Sequence, residues 1–192
     1  MSEAAGRLAL LEGAHHLGKA YGGRGILLSG VPGVPRGNVV ILGAGTVGLN
    51  AARLAIGLGA DVSLLDVNLD RLRHVDEIFR GQVVTVASNA FNVAQAVQRA
   101  DLLVGALLVA SARAPVLVTR AMVERMKDGA VIVDVAVDQG GCIETIRPTT
   151  LAAAARDKSA LARGINVWRG RIVHPAVADS LGEPPTVLTW GA

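Results

Sequence analysis

Three glycines and an aspartate carry the first chemistry legible in the chain. Gly43, Gly45 and Gly48 stand in Gly-x-Gly-x-x-Gly spacing, and Asp66 follows 23 positions after Gly43. Such a loop suits a dinucleotide pyrophosphate. The first glycine permits a tight turn, the second, without a Cβ, lets the backbone approach the phosphates, and the third lets the next helix pack closely. Free N–H groups at the start of that helix, where Thr46 stands, face the anion. A carboxylate at Asp66 is placed to accept both hydroxyls of the adenosine ribose. It would repel a 2′-phosphate, which favours NAD over NADP. Arg71, five residues on, works against that preference.

A glycine triplet alone is weak evidence in a chain with 23 glycines, where an ordinary strand-to-helix turn is the alternative. The elements around the triplet decide between them. The run NVVILGAGTVGLNAARLAIGLGADVSLLDVN, residues 38–68, reads as strand, glycine turn, Ala-rich helix, second strand and terminal acid, in the required order. Further candidate strands lie at 83–87, 102–107 and 130–136, after 39–42 and 62–65. Helical patterns at 46–58, 69–79, 92–99 and 119–127 separate them. This alternation predicts an α/β fold, a doubly wound parallel sheet of the Rossmann type with right-handed crossovers. Ligands of such sheets bind beyond the carboxyl ends of the strands. The residues to inspect are therefore those at 43–48, Asp66, Ser88, Leu107, Leu108 and those at 135–138.

Ser2 heads a predicted helix with Ala5, Leu8, Leu11 and His15 on one face, an N-terminal helical arm. Residues 21–37, rich in glycine and with two prolines, read as an ordered excursion. Beyond Pro148 the character changes: LAAAARDKSALARG reads as a helix with a glycine stop, and the remainder has weak periodicity. The expected organisation is a connecting helix and Gly-rich segment over 1–37, a nucleotide-binding domain over 38–150 and an atypical tail over 151–192.

Bulk properties narrow the function classes. The chain has 192 residues, 51% hydrophobic and only 3% aromatic, so small and β-branched side chains fill the core, as in a parallel sheet buried on both faces. No apolar run reaches the length of a membrane helix, and no signal peptide opens the chain, which predicts a cytoplasmic protein without a membrane partner. The net charge of +3 is scattered and not interleaved with aromatics, so no nucleic-acid partner is expected. Cys142 is the single cysteine and reads as a small buried residue. His15, His16, His74 and His174 show no metal-ligand spacing, so no metal is expected.

Several segments together resemble the alanine dehydrogenase and pyridine nucleotide transhydrogenase family: MSEAAGRL, GGRGILLSGVPGV, VVILGAGTVGLNAARLA, GADVSLLDVNLDRLR, ADLLVGALLV, RAPVLVT and, most selectively, VIVDVAVDQGGCIETIRPTT. The resemblance covers residues 1–150. It implies an enzyme that interconverts L-alanine and water with pyruvate and ammonia, using NAD. Carried over by motif, Ser2 and Thr46 would contact the cofactor near its phosphates. Asp66 would hold the adenosine ribose, with Arg71 and Ser88 near that end. Leu107 and Leu108 match a backbone-contact position, while Val135, Ala136, Val137 and Asp138 would line the nicotinamide. Arg147 falls at a further cofactor-contact position. Asp138 is the one catalytic residue of the family retained here, an acid or base for the proton steps. Without the resemblance the alternative is a turn or cap residue before Gly140 and Gly141. Asp134 reads as a structural acid satisfied by neighbouring backbone.

The resemblance also implies absences. The family's substrate-binding segment, with its Arg, Lys and His, has no counterpart, and the region after Thr150 resembles the family's extreme C-terminal tail. The chain is expected to lack one or more strands of the sheet's second half, leaving an apolar edge. L-alanine or pyruvate would then be a partner only if another chain supplied the substrate domain. A non-catalytic NAD(H)-binding module or degenerate remnant is the rival reading. A transhydrogenase-like nucleotide domain is a third, for which the chain offers no membrane anchor. Family members assemble, commonly as hexamers, so a homo-oligomer is an open expectation.

Overall fold

Alternate residues of β1 (Asn38–Leu42) point to opposite faces, and beyond Asn38 both sets are apolar, so this strand must be covered on both sides. The computed structural model describes residues 2–107, 115–135, 141–145, 164–168 and 171–173, and in it β1 is an interior strand of the sheet. After β1 come α2 (Thr46–Gly57), β2 (Asp61–Asp66), α3 (Leu69–Phe79) and β3 (Val83–Ala87). Next are α4 (Ala90–Arg99), β4 (Leu102–Gly105), α5 (Arg120–Glu124) and β5 (Val131–Asp134). Two further strands, β6 (Gly164–Trp168) and β7 (Arg171–Val173), complete the order β3-β2-β1-β4-β5-β6-β7. All pairs from β3 to β6 are parallel, and β7 is antiparallel to β6. The N-terminal helix α1 (Ser2–His16) precedes them all.

The sheet sorts its side chains into two cores. Val39, Ile41, Leu64, Leu102, Val104 and Val133 meet residues of α1, α2 and α3 on one face. Val40, Leu42, Leu65, Leu103 and Ile132 meet Val93 and Val97 of α4, Val123 of α5 and Ile143 on the other. The chain therefore runs outward from β1 to β3 with its helices on the first face. It crosses to the second face in α4 and returns to β4 on the other side of β1. The strand order reverses between β1 and β4, which opens a crevice at their carboxyl ends.

The opposite edge of the sheet is tied by Asp101, which is buried. Its Oδ2 accepts from the Asn38 backbone N–H at 2.8 Å and its side-chain amide at 3.2 Å. Its Oδ1 accepts from Lys127 Nζ at 2.9 Å and faces Arg24 Nε at 3.2 Å. Burial works against the Asp101 charge, but the Asn38 N–H, the Lys127 ammonium and the Asn38 amide outweigh it and hold the carboxyl below its usual range. One side chain thus joins the starts of β1 and β4 to the excursion before β1 and the turn before β5.

The α/β doubly wound fold is as the sequence predicts, with local differences. Strands expected over 102–107 and 130–136 end at Gly105 and Asp134, and the helix expected over 119–127 is the single turn and a half of α5. The buried face of α1 is Gly6, Ala9, Leu10, Gly13 and His16, while Leu11 is exposed. Close approach explains the shift. A Cβ at Gly6 would overlap the Val47 carbonyl of α2, and one at Gly13 would overlap Leu102, so α1 is seated by its glycines. The ring of His15, in the last turn of α1, lies tilted against that of Tyr21 with centroids 4.0 Å apart. Beyond β5 the tail adds β6, which pairs in parallel register with it, Val133 opposite Ile165. The helix expected over 151–164 lies outside the described residues up to Gly164, which opens β6. No helix among the described residues is long and apolar enough to cross a membrane.

Candidate functional site

The glycine loop occupies the crevice between β1 and β4. Gly43 has φ +110°, a backbone region that L side chains rarely adopt, and a Cβ there would lie 2.8 Å from the Ala106 carbonyl. Its N–H continues the β1–β2 ladder to Leu65 at 2.7 Å, while the Ala106 N–H continues the β4 side to Leu42 at 2.8 Å. Gly48 has no room for a side chain, because a Cβ would overlap the Gly43 carbonyl. Gly45 is the opposite case: a Cβ would meet nothing within 4 Å. Its bare backbone faces open space at the mouth of the crevice.

Helix α2 begins there without help from a side chain. Asn68, Asn89 and Thr119 each cap the helix they precede, whereas Gly45 offers α2 no side-chain oxygen. The first N–H groups of α2 have no partner within the helix and bear the positive end of its dipole. Anions are favoured at such a terminus. Thr46, the first helical residue, is exposed beside it.

Asp66 ends β2 next to this loop, with only 6% of its surface exposed. Its Oδ2 accepts the Ala44 N–H at 2.7 Å and its Oδ1 the Asn68 N–H at 2.8 Å. The carboxylate therefore braces the glycine loop directly. Each oxygen has capacity for a further donor, as a ribose diol requires. Arg71 Nη1 stands 3.9 Å from Oδ2, a long contact from an exposed side chain. The Ser88 N–H donates to the Asp66 carbonyl at 2.9 Å, which brings the ends of β2 and β3 together.

The remaining predicted residues divide in two. Leu107 Cδ2 lies 3.3 Å from where a Cβ on Gly43 would be, and Val135 is held by its N–H to the Gly105 carbonyl at 2.8 Å. Gly6 packs on the first turn of α2 and Gly13 on Leu102 at the start of β4. Helix α1 thus runs away from the ligand edge, and Ser2, at its head, lies on that edge. The structure therefore gathers Ser2, Gly43, Gly45, Thr46, Gly48, Asp66, Arg71, Ser88, Leu107 and Val135 along one side of the sheet. Leu108, Ala136, Val137, Asp138 and Arg147 lie outside the described residues.

Two features of the site escape sequence reading. Arg7 Nε donates to Asn50 Oδ1 at 3.1 Å and Asn50 Nδ2 to the Thr46 carbonyl at 2.9 Å, clamping α1 to the start of α2. The only signal is a polar residue, Asn50, set between the apolar Leu49 and Ala51. The other is the bracing of Ala44 by Asp66. Cys142 is buried as expected, and burial, then the neighbouring Asp134 carboxylate, pushes its thiol well up, so it stays protonated and inert. Among the described residues no group of three or more His, Cys, Asp or Glu side chains assembles to hold a metal. A turn with open backbone, an uncapped helix start and a carboxylate on the adjoining strand end together fit a dinucleotide.

Comparison with known proteins agrees with this geometry. The chain is 51% identical over 190 residues to an alanine dehydrogenase of Bacillus subtilis, covering 98% of this chain and 47% of that protein. It is 42% identical over 232 residues to an alanine dehydrogenase of Mycobacterium tuberculosis, covering 97% of this chain and 62% of that protein. The latter alignment is longer than the chain itself, so part of the relative has no counterpart within it. A solved L-alanine dehydrogenase structure superposes with a TM-score of 0.77 at 53% identity, over 78% of this chain and 42% of the other. The chain thus spans about half the length of the curated relatives it matches. The profile described as "Alanine dehydrogenase/PNT, C-terminal domain" matches residues 9–158, and the chain belongs to that family.

Proposed function

We propose that the chain is the NAD(H)-binding portion of a cytoplasmic alanine dehydrogenase, the enzyme that converts L-alanine and water to pyruvate and ammonia with reduction of NAD. The observation that carries the reading is the shared edge of three features: the open backbone at Gly45, the uncapped start of α2 and the Asp66 carboxylate.

When bound, NAD accepts the hydride that leaves the substrate Cα. The chain's own residues bind and orient it. The N–H groups of α2 receive the pyrophosphate, and Asp66 accepts the adenosine ribose hydroxyls while holding the loop. Arg71 and Ser88 flank the adenosine end, with Ser2 and Thr46 beside the phosphates. Leu107, Leu108, Val135, Ala136, Val137 and Arg147 complete the contacts, and Asp138 holds or moves a proton beside the nicotinamide. The roles of Ser2, Arg71, Ser88 and the residues from Leu107 onward rest on the family resemblance. Closing a site against water and orienting Cα supply much of a dehydrogenase's rate. Turnover therefore needs a substrate-binding domain set against the nucleotide site.

NADH fluorescence titration of the purified protein tests the binding, and NADH formation from L-alanine tests the rest, alone and mixed with the isolated substrate-binding domain of a homologue. Binding with turnover only in the mixture is expected. Turnover by these 192 residues alone would contradict the need for a substrate-binding domain. Binding without turnover in either arm would favour a non-catalytic NAD(H) module, and absence of binding would overturn the proposal.

A further inference from the structure

We infer that Asp134 is a positioning residue for the nicotinamide half of the cofactor, an inference that rests on the NAD(H) reading above. Topology selects the half. β2 and β3 lie on one side of the β1–β4 switch point and β5 on the other. With the adenosine drawn to Asp66 on β2 and the pyrophosphate to Gly45 at the switch point, the rest of a dinucleotide extends over the ends of β4 and β5.

Asp134 is the last residue of β5 and has no exposed surface. A carboxylate so deep is costly unless its oxygens are engaged. Its Oδ2 accepts the Cys142 N–H at 2.8 Å, and the Cys142 thiol donates to Oδ1 across 3.7 Å. Gly105, which pairs with Asp134 across the β4–β5 ladder, makes the room. A Cβ there would lie 2.7 Å from both Asp134 Oδ1 and the Cys142 sulfur. The Cys142 carbonyl in turn accepts the N–H groups of Leu117 at 2.8 Å and Val118 at 3.1 Å. Glu144 returns the link, its N–H to the Val118 carbonyl at 2.9 Å and its carboxylate to the Arg120 N–H at 2.7 Å.

The chain leaving β5 at Val135 and the chain returning at Cys142 are thus fastened to the same pair of strand ends. A backbone bond to Gly105 holds the first, and Asp134 holds the second. Asp134 fixes where the returning chain sits on the ligand edge, on the side of the switch point that takes the nicotinamide. It acts through the Cys142 backbone and touches no reacting atom.

The test compares NADH with ADP-ribose, which keeps the adenosine and pyrophosphate and lacks the nicotinamide. Calorimetric titration of the parent protein should show tighter binding of NADH. Asp134→Ala should weaken NADH about tenfold, the size expected for one buried donor left without its acceptor, and leave ADP-ribose unchanged. Asp134→Asn, which keeps an oxygen for the Cys142 N–H, should restore most of the preference. Equal weakening of both ligands would mark a merely structural role and overturn the inference, as would an unchanged NADH preference in Asp134→Ala. If Asp134→Ala does not fold, Gly105→Ala, which presses on the same pair, is read by the same criterion. A parent that binds ADP-ribose and NADH equally would overturn the inference alone. A parent that binds neither would remove the cofactor reading itself, and this inference with it.

Discussion

Replacing Asp66 by alanine should destabilise the protein before any nucleotide is present. Its carboxylate accepts two backbone N–H groups, and losing the carboxylate affects them unequally. Asn68 is exposed, so water replaces the carboxylate there. Ala44 is buried, and its N–H would be left without an acceptor. Stranding one buried donor costs about 1–3 kcal/mol. In a chain of this size that lowers the melting temperature by roughly 2–12 °C. Asp66→Asn should behave differently, because its single oxygen can serve Ala44 while its NH2 turns the exposed Asn68 N–H toward water, a loss under about 1 kcal/mol. Cofactor affinity should follow another order: both variants lose the charge, with one acceptor for the ribose diol left in asparagine and none in alanine, so both should bind NADH at least about tenfold more weakly. Urea unfolding of the nucleotide-free proteins, beside NADH titration, separates the two effects. An Asp66→Ala protein that unfolds at the parental midpoint would refute the bracing role. So would alanine and asparagine variants of equal stability.

Three shorter predictions concern other positions. The Asp101 carboxyl titrates lower in the folded chain than in the unfolded one, so its contribution is present above the unfolded value of about 4 and lost as pH falls through the folded value. Urea midpoints measured between pH 3 and 7 should drop at the acid end, and Asp101→Asn should be less stable at neutral pH with a shallower acid drop; an unaltered acid slope would contradict the assignment. Gly48→Ala should shift α2 away from the Gly43 carbonyl and weaken NADH binding by more than about tenfold, whereas Gly45→Ala, with open space at its Cβ, should leave the apo fold's stability within about 0.5 kcal/mol of the parent. An aromatic disulfide reagent should label Cys142 only as fast as the protein opens, and prompt labelling of the native state would show that its burial is misjudged.

The order of elements was legible because it depends on local rules. Residues 38–68 carry their own periodicity, and the sheet could be built outward from them by alternation. The placement of Gly43, Gly45 and Gly48 followed from the demands of one turn. What stayed hidden depends on contacts between distant residues. The buried face of α1 is hidden from the sequence because its leucines suggest a stripe while its glycines make the contact, with Val47 and with Leu102. Asp66 announced a ligand-facing acid but not its hold on Ala44, since a backbone donor has no sequence signature. Strand β6 was missed because its GINVW, within a stretch of weak periodicity, is recognised as a strand only when β5 is beside it.

The bare start of α2 links folding to the nucleotide. Asparagine or threonine finishes α3, α4 and α5 from within the chain, but at Gly45 the chain leaves that end for a ligand to complete. Glycine there forgoes only a few tenths of a kcal/mol relative to a capping side chain. A pyrophosphate seated on those N–H groups would act as an external cap, and anything that binds only the folded state raises its melting temperature as concentration rises. The chain's heat resistance should therefore report how much nucleotide surrounds it.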